Sequence, residues 1–459
     1  MSEMTIPYCD AQACPIAGCN PVVCTGAGVP SNDILFERSA EAIPGGVNSS
    51  IRAFKAVGGR PYVVARGRGA HIVDVEGQTY IDLVQSYGAV ILGHGHPVIT
   101  DALQRAAGDG TSFGAPTPRE MKLAEAIQER VPSCERVRFM NSGTEATSTV
   151  VRLARGLTGR SRIVIFDGNF HGATDALLAA GGSGVATLGL PGTAGVPPEA
   201  VANTIVVPYN QVPELDDRVA AVIVEPVAAN MGVVAPAPGF LEGLRAACDR
   251  VGALLIFDEV ITGFRLGLGG AQGYLGVTPD LTCFGKVIGG GLPIGAVGGR
   301  RDIMENLTPI GKVFHAGTLA GNPLATAAGL AALSVLNDDH YRELERQATR
   351  LGNIMIEAAV SAGLPLHVSR VGTLTGIHLG SALNDSSTPG GVSRLPVNFT
   401  EAKTTDEALY ARLFHALLRE GVALAPGAYE AMFVGLAHDA AVMDELAERF
   451  YRAARATVA

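Results

Sequence analysis

The sequence predicts an α/β fold, in which helices cover a central sheet that is mixed but mostly parallel. Two observations predict it. Between residues 87 and 330, short apolar runs alternate with stretches that have the spacing of amphipathic helices, and this alternation is typical of parallel sheets. The apolar runs are nearly continuous, as expected for strands that are buried on both faces.

The predicted elements of this region follow one another in a regular order. The strands are RVRFMN (136–141), RIVIFD (162–167), TIVVPY (204–209), AAVIVEPV (220–227), ALLIFDEV (253–260) and LTCFGK (281–286). The helices are REMKLAEAIQERV (119–131), EATSTVVRLARGL (145–157) and GFLEGLRAACDRV (239–251). We therefore assign residues 87–330 to one large domain.

The two ends of the chain predict a smaller α+β domain. Residues 33–86 mix short strand patterns with turns, and residues 61–84 have the pattern of a β-meander. Residues 331–459 are mostly amphipathic helix, with short apolar runs such as GIHLGS and GVALAP. We expect residues 33–86 and 331–459 to form the smaller domain together.

Composition excludes several classes of protein. The chain has 459 residues, of which 47% are hydrophobic and 17% charged, so it has enough apolar surface to fold and is not largely disordered. A net charge of −9 argues against non-specific nucleic-acid binding. No apolar run reaches the roughly 18 residues of a membrane helix. Residues 1–37 contain no Lys or Arg, unlike a signal or transit peptide, and we expect a cytoplasmic protein.

The first 32 residues are predicted to form a mobile tail. Four cysteines, Cys9, Cys14, Cys19 and Cys24, are evenly spaced within it. A soft metal could bind them, but common zinc sites pair cysteines more closely and separate the pairs further. We predict no metal site.

Polar residues follow the predicted strands, where ligands bind in open α/β sheets. Ser142, Gly143 and Thr144 come between a strand and a helix, and the free N–H groups of a helix N-terminus can bind a phosphate. The same residue types are also ordinary helix caps. Phe170 follows the next strand and could stack on a flat ring or belong to the core.

Two acids and a lysine follow the last two strands. Asp258 and Glu259 end one strand, and because neighbouring strand residues face opposite sides, we expect them to have different partners. Lys286 ends the next strand and is one of only five lysines among 35 basic residues. An amine desolvated there would have a lowered pKa and suit Schiff-base chemistry. A phosphate turn, a stacking ring, an acid and a lysine together indicate pyridoxal phosphate.

At these residues the chain resembles the class III pyridoxal-phosphate aminotransferases of fold type I, and within them the glutamate-1-semialdehyde 2,1-aminomutase branch. The likeness covers about residues 34–455. The segments that carry it are IPGGVNSSIRAFKAVGG, GTSFGAP, NSGTEAT, VAANMGVV, GALLIFDEVITGFR, PDLTCFGKVIGGGLPIGAVGGR, HAGTLAGNPLA and APGAYEAMFVGLAH.

The resemblance implies roles for the cofactor residues. Lys286 would form the Schiff base and move a proton between carbon atoms, and Asp258 would keep the pyridine nitrogen protonated. Thr318 would reach the phosphate of the neighbouring subunit's cofactor, which implies a homodimer with shared active sites. The other implied cofactor residues are Ser142, Gly143 and Thr144 at the phosphate, Phe170 and Val260 on the two ring faces, Asn230 at the ring hydroxyl, and His171.

The resemblance also implies a substrate site and a reaction. Arg52 would pair with a substrate carboxylate, Glu430 would disfavour a second one, and residues 181–195, including Ser183, would close over the reaction. The implied reaction converts glutamate-1-semialdehyde to 5-aminolevulinate, a tetrapyrrole precursor, by way of the pyridoxamine phosphate form of the cofactor. Tyr87 would line the pocket where the branch usually has Trp.

Departures from the branch at Tyr87, Phe170, Ala173 and His315 leave two other functions open. The first is an intermolecular transaminase that acts on a β-amino acid, an amino aldehyde or a related substrate. The second is a paralogue without enzymatic activity, against which the presence of Lys286 and Asp258 argues. The partners expected from the sequence are a small-molecule substrate and a second copy of the chain, with neither nucleic acid nor a membrane.

Overall fold

A computed structural model describes residues 30–179, 193–381 and 394–459. The cysteine quartet, most of the predicted tail, Ser183 and most of the predicted closing loop lie outside the described residues. Among the described helices, none combines the length and the apolar character needed to span a membrane.

The strands and helices of the described residues are numbered in chain order. The strands are β1 (Val64–Arg68), β2 (His71–Asp74), β3 (Thr79–Asp82), β4 (Arg136–Met140), β5 (Arg162–Phe166), β6 (Thr204–Val207), β7 (Val219–Val224), β8 (Leu254–Glu259), β9 (Leu281–Phe284), β10 (Gly295–Gly299), β11 (Leu366–Val371), β12 (Leu374–Leu379), β13 (Val422–Ala423) and β14 (Met432–Phe433). The helices are α1 (Asn32–Ala42), α2 (Pro97–Asp109), α3 (Pro118–Arg130), α4 (Gly143–Thr158), α5 (Pro198–Val201), α6 (Phe240–Val251), α7 (Gly270–Leu275), α8 (Arg301–Met304), α9 (Pro323–Val335), α10 (Asp338–Ala362), α11 (Phe399–Ala402), α12 (Glu407–Arg419) and α13 (Ala440–Val458).

The central sheet confirms the predicted α/β fold. Its strand order is β4-β10-β9-β8-β7-β5-β6. The five strands from β9 to β6 pair in parallel, and all six predicted strands of the region are present. Neighbouring residues of β7 face opposite cores: Ile223 packs with α4 on one side, and Val222 packs with α6 on the other. Both faces are therefore covered, as the apolar runs predicted.

Strand β10 was not predicted, and it makes the sheet mixed. It pairs antiparallel with both β4 and β9. Its sequence, GAVGG, has three glycines, one β-branched residue, Val297, and no aromatic residue, which is too few of the residues that predict strands. Glycine is needed there for packing, because a Cβ at Gly295 would collide with the backbone of Ser142 and one at Gly299 with that of Asp280.

Two small sheets lie outside the central one, and one of them combines strands from both ends of the chain. One has the order β1-β2-β3-β13, in which β13 from the C-terminal part pairs in parallel with β3. The other has the order β11-β12-β14. The β-meander predicted for residues 61–84 is present as β1 to β3. The division into two domains stays a prediction.

The start of the described chain differs from the expected strand-and-turn mixture. Residues 32–42 form helix α1, which Ser31 caps by accepting a hydrogen bond from the Ile34 N–H group. Asn32, expected in the mobile tail, donates from Nδ2 to Asp74 at 3.0 Å and accepts from the Val63 N–H group at 2.7 Å. These contacts join the end of the predicted tail to β2 and to the residue before β1.

The Gly295→Ala variant is expected to lower the free energy of unfolding by about 1–3 kcal/mol, the usual cost of adding atoms to a well-packed site. Thermal or urea unfolding measures the change. Gly273→Ala is the matched control, because a Cβ at Gly273 has no neighbour within 4 Å. Equal stability of Gly295→Ala and the native chain would contradict the assigned packing of β10.

Candidate active site

Lys286 lies just beyond the carboxyl end of β9, in the centre of the sheet. Its backbone has a φ of +44°, a left-handed conformation that is uncommon outside glycine. Burial lowers the pKa of its amine, while the carboxylates of Asp258, Glu225 and Glu430 oppose that shift. A lowered pKa increases the fraction of neutral, nucleophilic amine near neutral pH.

Asp258 lies near the carboxyl end of the neighbouring strand, β8, opposite Cys283 of β9. Its side chain is buried, and its Oδ2 atom lies 2.7 Å from Nδ1 of His171. The other carboxylate oxygen accepts a hydrogen bond from the Val260 N–H group at 3.1 Å. The carbonyl of His171 accepts from Thr147 Oγ1 at 2.7 Å, which joins the pair to α4.

Glu259 faces the other side of β8, as the alternation of strand residues predicted. It is fully buried and accepts hydrogen bonds from Thr262 Oγ1 at 3.1 Å and from Gln272 Nε2 at 3.0 Å. It also accepts from the Ala271 N–H group in the first turn of α7. Glu259 therefore supports the fold, whereas Asp258 faces the site.

The turn of Ser142, Gly143 and Thr144 begins α4. The Ser142 Oγ atom accepts a hydrogen bond from the Glu145 N–H group at 3.2 Å, so this serine is also a helix cap. Two glycines make the turn compact: a Cβ at Gly143 would lie 2.9 Å from a methyl carbon of Val260, and Gly172, at φ +82°, lies against Thr144. The N–H groups at this end of a 16-residue helix can bind an anion.

Glu225 is a residue of the site to which the sequence assigned no role. It lies just after β7, and its side chain is buried. Its carboxylate accepts hydrogen bonds from the Phe170 N–H group at 2.7 Å, the Ala229 N–H group at 3.0 Å and Asn230 Nδ2 at 2.9 Å. Burial raises the pKa of the Glu225 carboxyl to about 7. Its position at a strand end was the available signal.

These residues line one cavity, which fits pyridoxal phosphate. The cavity contains Lys286 and every predicted cofactor residue except Thr318. The turn at its base leaves no room for added side chains, as a phosphate site requires. The buried Nε2 atom of His171 has no hydrogen-bond partner within the described part of the protein. The lining residues are Ser142, Gly143, Thr144, Thr147, Phe170, His171, Gly172, Glu225, Asn230, Asp258, Val260, Ile261, Thr262 and Lys286.

A second cavity adjoins the first and shares Phe170 and Lys286 with it. Arg52, Tyr87 and Glu430, three of the four predicted substrate residues, line this cavity. Burial raises the pKa of the Tyr87 hydroxyl; the Glu430 carboxylate raises it further, and the Arg52 guanidinium opposes the shift. The second cavity therefore combines a cation, an anion and a phenol beside the amine of Lys286.

Tyr87 is held in a left-handed turn. Gln85, Ser86 and Tyr87 have φ values of +45°, +53° and +56°, which cost about 1–2 kcal/mol per residue relative to right-handed backbone. The Asp82 Oδ1 atom accepts hydrogen bonds from the N–H groups of Val84 at 2.8 Å and Gln85 at 3.1 Å. Nothing in the local sequence predicts this turn except Gly88, which follows it.

Thr318 lies in a separate cavity. That cavity is formed by residues 112–117, Glu120 and residues 317–323, and the two segments are joined by a 2.9 Å hydrogen bond from Asn322 Nδ2 to the Thr111 carbonyl. Within one chain the structure does not bring Thr318 to Lys286. Its predicted role in a partner's site stays a prediction.

The two histidines of residues 93–97, GHGHP, are held by the fold and do not form a metal site. His94 Nε2 lies 2.6 Å from Oδ2 of Asp82, and His96 immediately precedes α2. Across the ranges that the structure describes, no group of three or more His, Cys, Asp and Glu side chains could hold a metal ion.

Comparison with known proteins decides the family. A family model described as aminotransferase class-III matches residues 54–453. The chain belongs to the class III aminotransferase family. A glutamate-1-semialdehyde 2,1-aminomutase from Bordetella avium (strain 197N) is 49% identical over 420 residues, which are 90% of this chain and 96% of that protein.

Solved structures of a transaminase and of an aminomutase share the fold. An omega-transaminase from Sphaerobacter thermophilus superposes with a TM-score of 0.84 at 32% identity, covering 94% of this chain and 99% of that one. A glutamate-1-semialdehyde-aminomutase from Pseudomonas aeruginosa PAO1 superposes with a TM-score of 0.80 at 27% identity, covering 93% and 94%.

Glu225→Gln is expected to weaken cofactor binding at least tenfold. The Glu225 carboxylate accepts hydrogen bonds on both oxygens, whereas glutamine has only one acceptor oxygen, and its NH₂ group would face another N–H donor. Phe170 and Asn230 would therefore no longer be held in place. Titration of the apoprotein with pyridoxal phosphate, followed by absorbance, measures the dissociation constant.

Glu259→Gln is the control for this change, since Glu259 is equally buried but faces α7. It should lower the unfolding temperature while leaving cofactor affinity within about twofold of native. Native affinity in Glu225→Gln would show that this carboxylate does not organise the cavity.

Proposed function

We propose that this protein is a pyridoxal-phosphate-dependent aminomutase that converts glutamate-1-semialdehyde to 5-aminolevulinate. The observation that carries the proposal is that Arg52 and Glu430 line one cavity together with Lys286. The 49% identity to a glutamate-1-semialdehyde 2,1-aminomutase over 90% of the chain supports it.

Arg52 and Glu430 suit a substrate that has one carboxylate and one aldehyde. The Arg52 guanidinium can bind the carboxylate through two parallel hydrogen bonds. Glu430 repels a second carboxylate, which an ordinary α-amino acid such as glutamate would bring, but accepts an aldehyde. The charges of the cavity therefore select the aldehyde end for the reaction.

Lys286 and Asp258 would control the positions of the protons during the reaction. The bound cofactor supplies an electron sink for negative charge at the carbon that loses a proton. Asp258, fixed by His171 and by the Val260 N–H group, would hold a proton on the pyridine nitrogen. The Nζ atom of Lys286 would move a proton between the two neighbouring carbons. The amino group and the oxygen exchange places, so no external amine is consumed.

We also propose that the protein is a homodimer in which Thr318 completes the partner's site. Phe113 and Leu319 line the Thr318 cavity and are 43% and 51% exposed. The preceding loop carries Ile310 and Phe314, which are 74% and 67% exposed. So many exposed large apolar side chains in two adjoining segments are typical of a protein interface, and a second copy would cover them.

Conversion without an amine donor is the first test of the proposed reaction. Protein loaded with pyridoxamine phosphate is expected to form 5-aminolevulinate from glutamate-1-semialdehyde alone, measured by chromatography of the product. An intermolecular transaminase would instead form no 5-aminolevulinate without a donor, and an added amino acid would bleach the absorbance of the Schiff base between its lysine and the cofactor.

Lys286→Ala should abolish turnover in that assay and prevent borohydride from fixing the cofactor to the chain, because no other amine lines the cavity within the described residues. Lys122→Ala, an exposed lysine of α3, should keep both properties. Turnover by Lys286→Ala within tenfold of native would reject the role of Lys286.

Ile310→Glu tests the dimer. A charge in the proposed interface is expected to shift the protein to the monomer mass in size-exclusion chromatography with light scattering, and to weaken cofactor binding because the partner's Thr318 is lost. Val360→Glu, at a residue 77% exposed on α10, should leave both unchanged. A monomeric native protein with full cofactor affinity would contradict the proposal.

A further inference from the structure

Arg265 is a fully buried arginine whose hydrogen bonds go to backbone carbonyls. Its Nη1 atom donates to the carbonyl of Val434 and its Nη2 atom to the carbonyl of Gly88, both at 2.7 Å. No carboxylate forms an ion pair with it within the described ranges. Since burying an unpaired charge is costly, this position calls for an explanation beyond packing.

The two carbonyls belong to two walls of the second cavity. Gly88 directly follows the left-handed turn that carries Tyr87, and Val434 directly follows Phe433. Tyr87 and Phe433 both line the cavity. The walls touch each other, because a Cβ at Gly88 would lie 2.8 Å from the Phe433 ring. Arg265 does not line the cavity itself, but it joins the two walls by these hydrogen bonds.

Within the left-handed turn, the N–H groups of Gly88 and Val90 donate to the Gln85 carbonyl, both at 3.1 Å. Asp82 and Phe433 support the turn on its N-terminal side. The Asp82 carboxylate accepts from Val84 and Gln85 there, and the Phe433 N–H group donates to the Leu83 carbonyl at 2.8 Å. Arg265 provides a side-chain hydrogen bond on the C-terminal side, at Gly88. With contacts on both sides, the turn cannot relax toward ordinary backbone without breaking one of them.

Arg265 is joined to the cofactor side of the site by its N–H group, which donates at 3.1 Å to the carbonyl of Thr262, a residue that lines the first cavity. It follows β8 and the Asp258 segment in the chain, and its own carbonyl accepts a hydrogen bond from Thr373 Oγ1 at 2.8 Å. Its guanidinium carbon lies 5.5 Å from the centre of the Phe433 ring, within cation–π distance. The residue thus connects the segment that follows Asp258 with the walls that face the substrate.

We propose that Arg265 is a positioning residue that sets the places of Tyr87 and Phe433 relative to Lys286, and so the shape of the substrate cavity. This inference rests on the proposed function in taking that cavity as the substrate site. A guanidinium suits the task, because its donors are arranged in a rigid fork and can hold two carbonyls at once. A lysine ammonium has three donors that rotate on a flexible stem, so it would fix the two carbonyls less firmly.

Hydrogen exchange of the cofactor-loaded protein tests the positioning role directly. Arg265→Lys keeps the charge and is expected to speed amide exchange at least tenfold in residues 84–90 and 430–436, while peptides around Lys286 stay protected. Arg130→Lys is the matched control, since Arg130 also donates to two carbonyls, those of Ala126 and Leu333, away from the cavity. Unchanged exchange at residues 84–90 in Arg265→Lys would overturn the proposal.

Thr373→Val is a second, milder variant, in case Arg265→Lys does not fold. It removes the hydrogen bond to the Arg265 carbonyl at nearly constant volume and should raise exchange in the same two segments by a smaller factor. No change there would also count against the proposal.

A binding cycle measures the consequence for the substrate. The affinity for 5-aminolevulinate, measured by calorimetry, should fall about tenfold in Arg265→Lys, while the cofactor absorbance is retained. In a double-mutant cycle, the changes in binding free energy caused by Arg265→Lys and Tyr87→Ala should be less than additive. Full additivity would show that Arg265 does not act through Tyr87. If the native protein does not bind 5-aminolevulinate, the proposed function fails, and the exchange measurement still decides the role of Arg265.

Discussion

The electrostatic balance among Lys286, Asp258 and Glu225 is the interaction on which the rest of the site depends. Strands β9, β8 and β7 are neighbours and run in parallel, so their carboxyl ends deliver these three side chains to the same edge of the sheet. Burial works against each charge, and each carboxylate has hydrogen-bond donors that the fold supplies. A shift of one strand by one residue in register would move its charged side chain to the other face of the sheet, into the apolar core.

The phosphate turn depends on the antiparallel strand β10. Its glycines allow β10 to approach the Ser142 backbone, which holds the start of α4 beside Val260 and Gly172. The residues that line the second cavity but not the first include Arg52 and Tyr87 from the N-terminal part of the chain, and Glu430 and Phe433 from the C-terminal part. Under the proposed function, substrate choice could therefore change while the cofactor residues stay constant.

Prediction from the sequence succeeded where the signal is local. The apolar runs predicted all six strands of the central region, and the strand ends indicated Asp258 and Lys286. Strand β10 was missed because its glycines do not have a strand pattern, and α1 was missed because its polar sequence lacks an apolar stripe. Arg52, Tyr87 and Glu430 came from resemblance alone, and the structure brings these three together. Glu225 and Arg265 received no role, because hydrogen bonds to distant backbone leave no mark on neighbouring residues.

The sequence by itself determined the fold class, the order of the central strands along the chain and the chemical groups at their ends, because strand burial and strand ends are read from neighbouring residues. Only the tertiary structure decided which distant segments meet. It placed the Glu225 carboxylate where the Phe170 N–H group and Asn230 Nδ2 donate to it, and burial there raises the Glu225 pKa. It also joined Gly88 and Val434 through Arg265. The Glu225–Phe170 hydrogen bond spans 55 residues of chain and the two Arg265 hydrogen bonds span 169 and 177. At such separations desolvation and hydrogen-bond geometry, rather than local pattern, set the energies.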